Sequence, residues 1–390
     1  MKIEQRRWTD TQGWVPALSQ TNAESTQLLF VFGSVSILKD RKALDQIRKK
    51  NPRAHLFGCS TAGEICGTQV TDDSLVVTAV SFEHTEFKGV HVQLDRVNNS
   101  SFGAGKYLAE ALPCSVSMTG SDESKKLMHV LVLSDGLKVN GSELVRGLIE
   151  HLPGGVTVTG GLAGDGERFE ETLILCDNDV HKNTIAVLGL FGSRLKVGFG
   201  SLGGWDSFGP ERLITQSEGN VLYELDGHSA LELYKKYLGE HAKGLPVTGL
   251  LFPLSLRTKT GETGVVRTIL SVDEKARSMT FAGDVPEGSY VRFMKANFDR
   301  LIDGAIGAAK TSYSAIGSVT PNLAILISCV GRKLVLKQRI EEEVEGVRDI
   351  LGTSTIMTGF YSYGEISPFT PGTKCELHNQ TMTITTFSEK

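Results

Sequence analysis

The chain has 390 residues, 40% of them hydrophobic and 22% charged, with a formal net charge of −4. This is an ordinary globular composition, long enough for two hydrophobic cores. It excludes a basic nucleic-acid-binding or membrane-surface protein, since both signs of charge are spread along the chain without a block of either. No apolar run approaches the roughly 18 residues of a membrane-spanning helix. The first residues, Met1 to Trp8, lack the apolar core of a signal peptide. The expected location is therefore the cytoplasm. Cys59, Cys66, Cys114, Cys176, Cys329 and Cys375 form no CxxC pair and no zinc spacing, which predicts reduced thiols.

In chain order, three segments repeat one plan: apolar strand, amphipathic helix, second apolar strand, glycine-rich turn ending in an acid. The first has a strand at Leu28 to Phe32, a helix turning Ala43, Leu44 and Ile47 inward, a strand at Ala54 to Phe57, and the turn Gly58 to Glu64. The second has Val130 to Leu133, a helix with Leu144, Leu148, Ile149 and Leu152 on one face, Val156 to Val158, and the turn Thr159 to Asp165. The third has Leu323 to Ile327, a helix burying Val344, Val347 and Leu351, and the turn Gly359 to Glu365. The three turns, GCSTAGE, TGGLAGD and GFYSYGE, align without gaps. Strands joined by helical crossovers predict parallel neighbours in sheets covered on both faces.

Between the second and third copies the texture changes. Thr184 to Phe191 and Leu195 to Phe199 read as a hairpin, Trp205 to Pro210 as a turn, and Val221 to Gly227 as strand and turn. A helix starting at Asp226 carries Ala230, Leu233, Tyr234 and Tyr237 and ends at Gly239. A further helix is expected after Pro286, opened by Gly288 to Met294. The fold class is α/β, with two tightly packed domains, 1–219 and 220–390, built of repeated strand–helix–strand units under helices.

Glycine-rich turns at the carboxyl edge of such sheets commonly line a ligand crevice. Each terminal acid could cap backbone amides or meet a cationic group. None of the turns is a P-loop or a GxGxxG fingerprint, and Ser60 and Ser362 are in no nucleophile elbow. Cys329 ends an apolar strand beside Arg332, a cation able to lower a thiol pKa. It carries a hydrolase or transferase reading weakly, because no base is identifiable. The nine histidines form no HxH or HxxxH pair, so no protein-only metal site is indicated.

GCSTAGEI (58–65), GGLAGDG (160–166), ELDGHSALELYKKYLG (224–239), LFPL (251–254), SCVGR (328–332), YSYGEISP (361–368) and LHNQTMTIT (377–385) together resemble the FIST family, as an N-terminal and a C-terminal FIST domain. The resemblance implies a sensory input module of signal transduction rather than an enzyme. Stand-alone bacterial members are similar to haem-binding nitric oxide sensors, which act on a separate histidine kinase or cyclic-di-GMP enzyme. On that resemblance the cofactor is haem b, with His228 as axial ligand and His378 as the second candidate. The other reading is a sensor of a small molecule such as an amino acid. Its pocket would be formed by Gly63, Glu64, Gly164, Asp165, Tyr363, Gly364, Glu365 and Asn379 with Cys329. Glu64, Asp165 and Glu365 would meet an ammonium group and Arg332 a carboxylate. A homodimer is compatible with either reading.

Overall fold

The computed structural model describes residues 1–18, 26–117, 124–177, 179–257, 263–317, 319–369 and 372–389. Its organising feature is a threefold internal repeat. In each copy a leading and a following strand lie parallel: Leu28–Gly33 with His55–Ser60, Ser124–Ser134 with Thr157–Leu162, and Leu323–Cys329 with Ile356–Ser362. A closing strand pairs antiparallel to each leading strand: Leu75–Ser81, Thr184–Phe191 and Met382–Glu389. An outer strand flanks each closing strand in turn: Lys2–Thr9, Glu86–Gln93 and Leu195–Leu202.

Each repeat then donates the hairpin after its glycine turn to a neighbour. Glu64–Cys66 and Gln69–Thr71 extend the third repeat's sheet. Ile174–Cys176 and Asp179–His181 extend the first, and Gly364–Pro368 and Cys375–His378 the second. The exchange is cyclic, so the expected halves are interleaved: the third sheet combines strands from 64–71 with strands beyond 323.

Strand alternation builds the core. Leu28, Phe30, Phe32, Leu131, Leu133, Ile325, Ile327 and Phe360 face inward and form one cluster drawn from all three sheets. Their neighbours face outward onto helices. Leu29 and Val31 meet Leu44 and Ile47, while Val130, Val132, Leu326, Leu144 and Val347 belong to another cluster. Both faces are covered, which is why these strands read as continuous apolar runs. The helices Lys42–Lys50 and Ile340–Leu351 bury the expected residues. Gly141–His151 differs in one position: Val145 is buried and Ile149 is exposed. Its first turn is capped by the Asn140 side chain, which accepts from Ser142 N and Glu143 N.

The described strands between Trp205 and Ala296 form a fourth, antiparallel sheet inserted into the third repeat, between its outer strand and the helix Phe298–Ala315. One helix, Ala230–Leu238, packs on it through Ala230, Leu231, Tyr234 and Leu238. Here the sequence expectations fail in four places. Thr184–Phe191 and Leu195–Leu202 do not pair with each other, because they are closing and outer strands of different sheets. Trp205 to Pro210 is not a turn but the start of a long strand, Trp205–Glu218, whose register shifts between Phe208 and Arg212. The helix cap is Ser229, not Asp226, and Tyr237 is exposed. Asp226 instead sits at φ 51 in the turn and accepts from Leu213 N. The segment after Pro286 is the strand Tyr290–Ala296, with Val291 and Phe293 buried and Arg292 exposed between them. The helix begins only at Phe298, capped by the Asn297 side chain. The expected boundary at 220 falls in the turn between the paired strands Trp205–Glu218 and Val221–Leu225.

Three glycines fix the true alignment of the repeats. A Cβ on Gly58, Gly160 or Gly359 would meet the backbone oxygen of Val31, Val132 or Leu326 at 1.8, 1.9 or 1.8 Å. These glycines are equivalent, so the gap-free alignment of the turns is one residue out in the second copy. There Gly160, not Thr159, corresponds to Gly58. Gly359→Ala should destabilise the protein by about 3 kcal/mol, since backbone rather than a movable side chain blocks the methyl group. Gly154→Ala, where nothing lies within 4 Å, should stay within about 0.5 kcal/mol. Urea unfolding of the two variants checks this.

Candidate functional site

The cyclic exchange of hairpins draws the three glycine turns together. In the corrected alignment Ala62, Gly164 and Tyr363 are equivalent, as are Ser60, Leu162 and Tyr361. The backbone bonds follow that equivalence: Ala62 N donates to Tyr361 O at 2.8 Å, Gly164 N to Ser60 O at 3.0 Å, and Tyr363 N to Leu162 O at 3.2 Å. The turns thus close a ring of hydrogen bonds around the pseudo-threefold axis.

The terminal acids serve this construction. Glu64 is buried and accepts from Thr61 Oγ1, Ser74 N and Ser74 Oγ. Its counterpart Glu365 accepts from Ser362 Oγ, Thr381 N and Thr381 Oγ1. Burial pushes the two carboxyls up to about 7 and about 8, against those hydrogen bonds. Asp165 is one position out of register and has a different task. It caps the loop that follows by accepting from Phe169 N, Glu170 N and Glu171 N, and it bonds the Tyr363 hydroxyl. The Tyr363 ring stacks on Phe169 at 4.4 Å.

Beside the ring of turns lies an open cleft of about 370 Å³. All three repeats contribute to it: Thr61 to Glu64 from the first turn, Asp72 and Asp73 from the loop before Leu75, Gly166 to Arg168 from the second repeat, and Val330, Lys333 and Leu334 from the short helix Val330–Leu336. Lys333 Nζ donates to Ala62 O at 2.9 Å, pairs with Asp72, and stands 5.9 Å from the Tyr361 ring centroid. Arg168 and Asp73 are exposed at the rim. The cleft therefore offers two cations, Lys333 and Arg168, and the acidic side chains of Asp72, Asp73 and Glu167 beside the buried Glu64, within a volume at the lower end of small-ligand sites.

Of the pocket residues expected from the sequence, Gly63 and Glu64 line this cleft. Gly164, Asp165, Gly364, Glu365 and Tyr363 are packed inside the turns. Asn379 is buried, donating to Tyr363 O at 3.1 Å and accepting from Thr268 N at 3.3 Å, which ties the third turn to the inserted sheet. Cys329 is buried, and desolvation pushes its thiol well above the ordinary value, with Glu365 adding to the rise. Arg332 does not reach the cleft. It is fully buried and doubly bonded to Glu343 at 2.8 and 3.1 Å, with further bonds to Gly203 O and Leu301 O. Glu343 in turn accepts from Tyr361 OH at 2.7 Å.

The two histidines stand apart, and neither setting fits a haem. His228 is exposed on a two-residue strand of the inserted sheet. His378 is buried, its Nε2 bonded to Ser367 O at 2.7 Å and its ring against Phe369 at 3.9 Å. Burial lowers its pKa to about 4. No three metal-ligating side chains converge among the described residues.

Lys333, Asp72, Asp73 and Arg168 were not picked out from the sequence. Each is an ordinary surface residue type, and only the hairpin exchange brings them together. Glu343 lies in a run of three glutamates that reads as a solvated face; its place one turn before Val347 was the available signal.

Two family models match the chain, a FIST N domain over residues 27–228 and a FIST C domain over 230–368. An uncharacterised protein of Methanocaldococcus jannaschii is 24% identical over 359 residues, covering 87% of this chain; the chain spans only 65% of that relative's length. An uncharacterised protein of Mycobacterium tuberculosis is 23% identical over 332 residues, covering 81% of this chain and 79% of its own. Among solved structures, cyanuric acid hydrolase from A. caulinodans aligns over 100% of this chain and 99% of its own at 8% identity. Its TM-score of 0.37 is too low to carry an argument.

Two predictions follow from the buried charges. Glu64 and Glu365 hold protons in the folded state above their ordinary value of 4.5, so the folded state binds more protons than the unfolded one up to about pH 7 and 8. Their effect on stability therefore falls as pH rises through that window, by at most about 1.4 kcal/mol per pH unit for each group. Between pH 6.5 and 8, Glu365→Gln should lose less stability than the wild type in melting curves taken across that range. Arg332→Met strands a fully buried carboxylate and should cost about 3–5 kcal/mol in urea unfolding, whereas exposed Arg300→Met should cost less than about 1 kcal/mol.

Proposed function

The chain belongs to the FIST family, whose domains are sensory ligand-binding modules, and on that premise we propose that its sensory site is the cleft where the three repeats meet. The observation that carries this reading is the gathering of Arg168, Asp73 and the Lys333–Asp72 ion pair around one opening that all three repeats build. Such a site suits a small zwitterion. A carboxylate would sit against the two cations and an ammonium group against Asp72 and Asp73, so a free amino acid is the ligand class of choice. The groups that the sequence suggested for these roles are replaced: Glu64, Asp165 and Glu365 are committed to hydrogen bonds with the segments packed on their turns, and Arg332 is committed to Glu343.

Charge-assisted hydrogen bonds are each worth about 1.5–3 kcal/mol. In this site they would compete with water at an open mouth, so modest affinity is expected and selectivity rests on having both signs. Binding would be transmitted by favouring one of two conformations, since a ligand shifts an equilibrium only by its differential affinity for the two states. A separate signalling protein would read that state.

Thermal-shift and calorimetric titration with the free L-amino acids tests the proposal. At least one should stabilise the protein, and Arg168→Ala and Asp73→Asn should each weaken its binding about tenfold or more, the worth of one charge-assisted hydrogen bond. Haem is titrated in parallel. If no amino acid binds, and a Soret band appears that His228→Ala or His378→Ala abolishes, the cleft reading is replaced by the haem-sensor reading.

A further inference from the structure

The short helix Val330–Leu336 touches the cleft with one face and the inserted sheet with another. Val330, Lys333 and Leu334 line the cleft. On the far side, Val335 and Leu336 form a separate small apolar cluster with Trp205, Met294 and Leu301. Trp205 opens the first strand of the insert, Met294 lies on its last strand, and Leu301 is on the helix that follows. Both roots of the insert are thus packed on one helix.

A second set of contacts runs in parallel. Arg332, next to Lys333, bonds Gly203 O at 3.1 Å and Leu301 O at 2.6 Å, so one guanidinium holds the chain where it enters and leaves the insert. The same guanidinium is held by Glu343, which accepts from Tyr361 OH, and the Tyr361 ring lies under the Lys333 ammonium. Lys333 is therefore linked through two side chains, Tyr361 and Glu343, to the arginine that anchors the insert. The Trp205 indole N–H is buried without a partner among the described residues. A buried donor left unsatisfied marks a contact that a small rearrangement could improve.

We propose that this helix couples the cleft to the inserted sheet, with Lys333 as the residue that feels the ligand's charge and the insert as the part that changes its set in response. The inference rests on the cleft being the sensory site. Mechanically it needs only a small shift of a seven-residue helix, because packed interfaces respond in discrete rather than graded steps. Neutralising Lys333 imitates in part what a bound carboxylate does to its pairing with Asp72.

Hydrogen exchange by mass spectrometry on the full chain tests the coupling without any ligand. Lys333→Met should speed exchange of the amides in 205–208 and 290–296 several-fold, as local opening of the insert's roots becomes easier. Lys333→Arg, which keeps the charge, should restore the wild-type rate, and Lys49→Met, exposed and outside the cleft, should leave those segments unchanged. The proposal is overturned if Lys333→Met alters exchange only at 61–64, 72–74 and 330–334, or if Lys333→Arg behaves like Lys333→Met. Should Lys333→Met fail to fold, Lys333→Gln reads the same quantity. An amino-acid screen that finds no ligand leaves this result unaffected, so failure of the cleft reading and failure of the coupling are separable.

Discussion

Three backbone amides at the pseudo-threefold axis, those of Ala62, Gly164 and Tyr363, are each bonded to a carbonyl of a different repeat. A buried amide without a partner costs about 1–3 kcal/mol, so the repeats depend on one another before any side chain is considered. The requirement explains much of the local chemistry. The following strands must approach the leading strands closely enough for the turns to meet, and Gly58, Gly160 and Gly359 allow that approach. The buried glutamates at 64 and 365 hold the next loops, Ser74 and Thr381, against the ring. They remain buried at a cost that shows in their raised pKa values. Hairpin exchange then makes each sheet complete only when a neighbour is folded.

This interdependence is also why the sequence was legible in pieces rather than as a whole. Runs such as Leu28–Phe32 and Leu323–Ile327, buried on both faces, announce themselves by composition, and helical faces such as Val344, Val347 and Leu351 by spacing. What periodicity cannot carry is which sheet a strand joins. Thr184–Phe191 and Leu195–Leu202 are consecutive and apolar, as a hairpin would be, yet their partners lie in different sheets. The inserted sheet was hardest to read because its strands are half exposed and bulged, as at Phe208 to Arg212. Tyr290–Ala296 is too short for its alternation to stand out against a preceding proline and glycine. The candidate site was legible in its glycines and in Glu64. Its charged residues were not, because Arg168, Asp72 and Lys333 are far apart in sequence and nothing local marks them.

The cleft arises where the threefold symmetry is broken. At the position of Ala62 and Gly164 the third repeat has Tyr363, whose ring fills the space beside the second turn, stacked on Phe169 and bonded to Asp165. Beside the third turn the equivalent place is held by Ala62 and stays open. The helices that follow the leading strands differ in the same direction. Gly33 and Ser328 are equivalent, since each faces the equivalent residue of its following strand, Ser60 and Tyr361. Five residues on, the first repeat has Leu38, wholly buried, and the third has Lys333. The turn next to Lys333 is also free of bulk, for a Cβ on Gly63 would come within 2.7 Å of its Nζ. One substitution class thus closes a site and another charges one. In a molecule whose three axial turns are interchangeable in backbone, side-chain divergence at two positions is enough to leave one polar opening. That opening lies on the same short helix that packs against an element with no counterpart in the other repeats, the inserted sheet.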